Sequence, residues 1–177
     1  TGVNDAPISQ DIPLSAFEDG IAVTADFDGD DVDNDDDFDS LTFSIVDTLS
    51  AGEGTVANNG DGTFTFVPGS DFQELAQDQE FDVSFTYKAT DQHGEDSNVS
   101  TVTITMTGVN DGPTAIPDTR TVDQNVVASE AADGVLTNDD EPDTADSKVV
   151  TKLNGTDLDI VSSSLTITST KGATFTL

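Results

Sequence analysis

Carboxylates are the reactive groups this sequence holds in quantity. Between Asp26 and Asp39 the chain places nine Asp in 14 residues. Three more acidic stretches accompany that run: Glu18-Asp19-Gly20, Asp91-Gln92-His93-Gly94-Glu95-Asp96 and Asn138-Asp139-Asp140-Glu141-Pro142-Asp143. Donor sets made of oxygen suit hard divalent cations. Calcium takes about six to eight oxygens at roughly 2.3–2.6 Å, mostly from carboxylates and carbonyls, whereas magnesium keeps several of its waters. Zinc prefers Cys and His, and the chain has no Cys and one His, His93. Calcium is the cation these residues predict, set against the plain alternative of solvated acidic loops. The run is not an EF-hand. Counted from Asp26, the sixth position is Asp31 where Gly is needed, and no Glu stands at the twelfth. No Gly-Gly-x-Gly-x-Asp nonapeptide occurs either. A cation site here has to be assembled from loops distant in sequence.

The charge narrows the partners. The formal net charge is −31, from 36 acidic and 5 basic side chains. Nucleic acid and anionic lipid both require Lys/Arg neutralisation, so neither is an expected partner. Repulsion of this size opposes compaction, and bound cations relieve it. Enough Phe is present for a core, with Phe17, Phe27, Phe43, Phe64, Phe66, Phe72, Phe81 and Phe85 in the first two thirds of the chain. No apolar stretch is long enough to span a bilayer. No nucleophile–base constellation is visible, and His93 stands in a loop beside Gly94. The expectation is a protein that is not an enzyme.

The elements that would position the acids are punctuated by a repeat. Thr-Gly-Val-Asn-Asp-Ala-Pro at 1–7 returns as Thr-Gly-Val-Asn-Asp-Gly-Pro at 107–113, with six of seven positions matching. Such recurrence marks tandem modules and their joints. The predicted organisation is a linker at 1–7, a module at 8–107, a cation-binding linker at 108–113 and an incomplete module at 114–177. The first module alternates apolar and polar residues in Ile21–Ala25, Leu41–Val46, Gly62–Val67, Phe81–Tyr87 and Ser100–Met106, the signature of half-buried strands. Asn59-Gly60-Asp61-Gly62 is a turn signal, and Gln73–Gln77 is the sole candidate helical turn. About seven strands in about 100 residues predict a Greek-key, immunoglobulin-like sandwich. The second module has candidate strands at Thr119–Val127, Lys148–Leu153, Ser164–Ser169 and Ala173–Leu177, with Phe175 as its one aromatic.

Strand parity then places the acids. With seven strands, A leaving the first linker and G entering the second, the B–C and F–G loops lie at the N-terminal end beside Asn4-Asp5. That groups Asp5, Asp28, Asp31, Asp33 and Asp91. The A–B turn with Glu18 and the E–F segment with Asp71, Glu74 and Asp78 lie at the other end, beside Asn110-Asp111. The Asp139–Asp143 loop, with Asp140, Glu141 and Asp143, reaches the same joint.

Leu41–Ile45, Asn59–Phe64, Phe85–Gly94 and Val102–Asp111, together with Val135–Asp143, resemble the cadherin-like, VCBS-type repeats of giant RTX-type bacterial surface adhesins. The resemblance spans nearly the whole chain. It implies tandem immunoglobulin-like extender domains with calcium at their joints, secretion to the cell surface, and roles in attachment and biofilm formation. Carried over by position, Asn110 and Asp111 match the linker ligands, Glu18 the A–B carboxylate, and Asp91 the F–G aspartate. Asp31 with Asp33, and Glu141 with Asp143, match the B–C pair. Asp123-Gln124-Asn125 stands where the first module has Glu18-Asp19-Gly20 and departs from the pattern. Neighbouring repeats of the same chain are the expected partners. The alternative is a module that binds glycans or sister repeats. That reading needs exposed aromatics, and Phe27 and Phe38 are its candidates against a role as an apolar plug under the acidic loop.

Overall fold

A computed structural model of the chain describes residues 3–33, 38, 40–118 and 136–150, and the backbone of four short strands beyond them. The chain divides into two compact units. The first is Thr1–Gly112 with Pro142–Ala145, and the second is Pro113–Glu141 with Asp146–Leu177.

The first unit is all-β. In chain order its strands are β1 (Ile8–Ser9), β2 (Ile12–Phe17), β3 (Val23–Asp26), β4 (Gly29–Asp30), β5 (Thr42–Asp47), β6 (Thr55–Asn58), β7 (Thr63–Val67), β8 (Glu80–Thr90) and β9 (Ser100–Thr107). One sheet has the order β2-β9-β8-β5 and the other β3-β7-β6, while β1 pairs with β4. Every pairing in the unit is antiparallel except β2 with β9, which runs parallel from Ile12↔Val102 to Phe17↔Thr107. The alternation read in the sequence accounts for the two layers. In β9, Val102, Ile104 and Met106 are fully buried while Thr101, Thr103 and Thr105 face outward. In β7, Phe64 and Phe66 point inward.

The core is aromatic. Phe27 stacks on Phe43 at 5.1 Å between centroids and 11° between planes. It also meets Phe64 at 5.0 Å and Tyr87 at 4.9 Å. Phe27, at the mouth of the acidic loop, is therefore the plug, and Phe38 tilts over Phe43 from outside at 5.3 Å. The buried Tyr87 hydroxyl lies 2.6 Å from the Gln10 carbonyl and 2.8 Å from the Asp28 carbonyl, and it accepts the Asp28 N–H at 3.2 Å. Burial raises this phenol above its usual range. Ser9 and Asn98 close the neighbouring edge. Asn98 Nδ2 donates to the Ser9 carbonyl and the Ser100 hydroxyl, each at 2.9 Å, so the Asn98 amide is committed to the fold.

Two Phe depart from the core expectation. Phe17 is 59% exposed, because Leu14 and Ala16 occupy the inward parity of β2 and leave Phe17 on the outer face. Phe81 pairs with the buried Met106 but lies near the start of β8, 48% exposed and in ring contact with Phe72. Gln73–Gln77 forms turns without a helix.

The second unit carries two hairpins, β10 (Lys152–Leu153) with β11 (Thr156–Asp157) and β12 (Thr166–Thr168) with β13 (Thr174–Thr176). Thr114 and Asp140 form a reciprocal main-chain bridge. The candidate strand Thr119–Val127 lies outside the described residues, as do Asn34–Asp37, Asp39 and Asp123–Asn125.

Candidate cation sites at the two ends of the first unit

The parallel pairing of β2 with β9 builds the C-terminal cluster. Both strands run out together, so Glu18 and Gly108 emerge side by side after Phe17 and Thr107. The Glu18 N–H donates to the Thr107 carbonyl at 3.2 Å. Its side chain turns across the linker, where Oε1 accepts the Val109 N–H at 2.5 Å. One residue pair further on, the Asp111 N–H donates to Asp143 Oδ2 at 3.0 Å. Each carboxylate of Glu18 and Asp143 thus spends one oxygen on a linker amide. The remaining oxygens, Glu18 Oε2, Asp111 Oδ2 and Asp143 Oδ1, are buried without a hydrogen-bond partner. Glu18, Asp111 and Asp143 each offer a carboxylate oxygen within 4.8 Å of the others, and Glu18 and Asp143 are each only 1% exposed. Buried polar atoms are ordinarily paired, and converging buried carboxylates repel. Burial chiefly, then the charges of Asp111, Asp143 and Asp19, holds Glu18 above its ordinary value against the lowering effect of the Val109 N–H. Asp111 is raised by burial and by Asp19 and Asp143. Three orphaned oxygens on carboxylates that converge in this way could supply part of the oxygen shell of a hard cation.

The N-terminal cluster is built from the opposite loops. Asn4 Nδ2 donates to Asp91 Oδ2 at 2.9 Å, and the His93 and Glu95 N–H groups donate to Asp91 Oδ1 at 2.9 and 2.8 Å. The Asp5 N–H donates to Asp33 Oδ2 at 2.8 Å, and the Asp33 N–H to Asp31 Oδ1 at 2.9 Å. Two oxygens stay unpartnered here, Asn4 Oδ1 and Asp31 Oδ2. Asp91, although buried, is held below its ordinary value, first by the Asn4 amide and then by the surrounding N–H donors.

This architecture of two facing sheets with acids at both ends has a counterpart in sequence. Residues 4–108 match the model of the bacterial cadherin-like domain. The chain belongs to this family. Among solved structures, cadherin-like likenesses include Drosophila N-cadherin EC1-3, at 16% identity and TM-score 0.40, covering 63% of this chain and 36% of that one. Drosophila N-cadherin EC1-4 gives 19% identity and TM-score 0.37, with 64% and 28% covered. A 2,6-sialyltransferase of Photobacterium sp. JT-ISH-224 gives 13% identity and TM-score 0.31, with 57% and 18% covered. The chain therefore spans about a third of the length of the N-cadherin structures it resembles, and likenesses this distant carry no weight beside the family match. No curated protein matches the chain in sequence.

Within the cadherin-like module, Asn4 meets Asp91 at one end, where Asp5 joins Asp33 and Asp31 through its main-chain N–H, and Glu18 and Asp111 meet at the other. Asp143 joins the second group. Asp28 is exposed and is tied into the fold by its main chain, through the Tyr87 hydroxyl. Asn110 turns its amide to the Asp111 carbonyl at 3.2 Å, and its own N–H is taken by Gln77 Oε1 at 3.2 Å. In the second unit Asp140 is engaged through its main chain with Thr114, and the buried Glu141 Oε1 has no hydrogen-bond partner. Asp71 accepts the Gly54 N–H at 2.9 Å instead of joining a cluster. Gln77 is a contact the acid count could not find, because the group that matters is a neutral amide. The one sequence signal for Gly108 is that both copies of the heptapeptide carry Gly in that place.

Proposed function

We propose that the chain is a calcium-stiffened extender repeat of a secreted bacterial surface adhesin of RTX type, supporting attachment and biofilm formation. Its proposed organisation is a linker at 1–7, a module at 8–107, a calcium-binding linker at 108–113 and a further module from 114. The observation that carries this reading is the trio of buried, unpartnered oxygens on Glu18, Asp111 and Asp143 around that linker. A calcium ion there converts mutual repulsion into a cross-link between the A–B turn, the linker and the Asp143 segment. Asn4, Asp5, Asp31, Asp33 and Asp91 form the equivalent seat at the other end, and membership in the bacterial cadherin-like domains supports an adhesion or spacer role.

Extracellular modules typically bind calcium at about 10⁻⁴–10⁻³ M. At a few-fold excess over Kd each ion adds about 1 kcal/mol of stability, so several sites act together. The test is the maximum dimension in solution scattering and the melting temperature, each in millimolar calcium and in chelator. Calcium should narrow the distribution of dimensions toward the extended end and raise the melting temperature. If neither quantity moves, the extender reading is wrong.

A further inference from the structure

We infer that the loop from Phe72 to Gln79 sets the course of the linker before any cation arrives, and that it does so with main-chain and amide groups instead of carboxylates. The effect on calcium affinity rests on the proposed calcium site; the course of the linker does not.

The loop is anchored from beneath by the buried side chains of Phe72 and Leu75. It closes on itself through Leu75 N–H to the Phe72 carbonyl at 3.0 Å and Gln79 N–H to the Ala76 carbonyl at 2.9 Å. Asp78 adopts φ of +61°, an unusual conformation for a residue with a side chain, and this turn aims two groups at the linker. The Asp78 N–H donates to the Gly108 carbonyl at 3.1 Å, and the Gln79 carbonyl accepts the Gly108 N–H at 2.8 Å. Gln77 Oε1 takes the next free amide, that of Asn110. The approach is so close that a Cβ on Gly108 would lie 2.1 Å from the Ala76 carbonyl oxygen. Only glycine fits this contact.

The same loop grips the other strand of ligands. The Glu74 carbonyl accepts both the N–H and the hydroxyl of Thr144, at 3.2 and 3.0 Å. Thr144 follows Asp143 directly. One loop therefore holds Gly108 and Asn110, which bracket the amide that Glu18 accepts, and also the neighbour of Asp143. Its own acids are turned elsewhere: Glu74 and Asp78 are exposed, and neither they nor Asp71 belong to a cation-competent group among the described residues. Gln77, Gly108 and Thr144 are positioning residues. They fix the spacing of Asp111 and Asp143 in advance, which spares a binding ion the cost of ordering them.

The experiment is amide hydrogen exchange of residues 108–111 in chelator, combined with calcium titration of a variant set. In chelator the Gly108 and Asn110 amides should be protected, and Gln77→Ala should release Asn110 while leaving the melting temperature nearly unchanged. Gln77→Ala combined with Thr144→Ala should weaken calcium binding by about threefold to tenfold, the scale of two lost hydrogen bonds. Restoring the hydroxyl with Thr144→Ser should recover part of that loss. Glu74→Ala, which keeps the carbonyl, should leave the affinity unchanged. The inference is overturned if the linker amides exchange freely until calcium is added, or if Glu74→Ala weakens binding as much as the double variant. A wild-type chain whose linker amides are protected but which binds no calcium would refute the calcium reading and uphold the lock.

Discussion

The two ends of the first unit carry similar acids in opposite electrostatic states. At the N-terminal end, Asp91 is surrounded by donors: the Asn4 amide donates to one of its oxygens and two main-chain N–H groups to the other. At the C-terminal end, Glu18 and Asp143 receive one linker N–H each, their second oxygens are buried without a partner, and both carboxylates lie close to that of Asp111. Burial alone does not decide which way a carboxylate shifts. Asp91 and Glu18 are both buried, yet the first is lowered and the second raised. Donor count and neighbouring charge make the difference: Asp91 has four donors around it, whereas Glu18 has one N–H and the charges of Asp111, Asp143 and Asp19. Asp91 is compensated by protein dipoles, with Asn4 Oδ1 and Asp31 Oδ2 left unpartnered beside it, whereas the C-terminal trio has one linker N–H on each of Glu18 and Asp143 and needs a proton or a cation for the rest.

The largest effect expected from this contrast is at Glu18. Glu18→Gln keeps an acceptor for Val109 N–H but removes one charge from the trio. Calcium affinity at that end should fall by about tenfold or more, since ligand charge tunes such sites, while the melting temperature in chelator should hold or rise. A fall in chelator as large as the fall in calcium would mean that Glu18 is structural and the contrast is false.

Acid should separate the ends next. Glu18 and Asp111 have raised values, so the stability they contribute without metal is complete below the ordinary carboxylate range and is lost as pH rises through those raised values. In chelator, melting temperature should therefore increase as pH is lowered through those raised values toward the ordinary carboxylate range. In saturating calcium the trend should reverse, because protons compete with the ion for the same oxygens. Asp91 behaves oppositely: its contribution is present above its ordinary value of 3.8 and disappears only as pH falls through its lowered one. Identical pH profiles with and without calcium would remove the distinction.

Asp91→Ala sharpens the other side. It strands the Asn4 amide and the His93 and Glu95 N–H groups, so melting temperature should already drop by several degrees in chelator, and the loss of a ligand from the proposed N-terminal seat should add a smaller further drop in calcium. The smallest effect is expected away from both ends. Tyr87→Phe removes the hydroxyl that links Gln10 to Asp28 and should cost about 1 kcal/mol in denaturant unfolding, with no change in calcium dependence.

Much of this arrangement is legible in the sequence. Alternation in Ser100–Met106 and Phe81–Tyr87 located the two central strands to within a few residues, because a half-buried sheet imposes a period of two. Parity then assigned Glu18 and Asp91 to opposite ends, since a strand that spans a sandwich has no other way to run. The short strands Ile8–Ser9 and Thr55–Asn58 were not individually placed: two or four residues offer too little periodicity. Phe17 was misread because its neighbours Leu14 and Ala16 settle the parity of β2 only once its pairing with β9 is known. Parity puts the loop of Phe72 to Gln79 at the correct end, but its acids are not what acts there: it works through main-chain carbonyls and N–H groups, which every residue type carries, and through the Gln77 amide.

The parallel register of β2 on β9 has a mechanical meaning. Six residue pairs, Ile12↔Val102 through Phe17↔Thr107, join the first long strand to the last. Because the strands run the same way, the start of β2 and the finish of β9 lie at opposite ends of the ladder. A pull applied through the two linkers slides one strand along the other and loads all six pairs at once, in shear. An antiparallel terminal pair would instead be peeled open bond by bond.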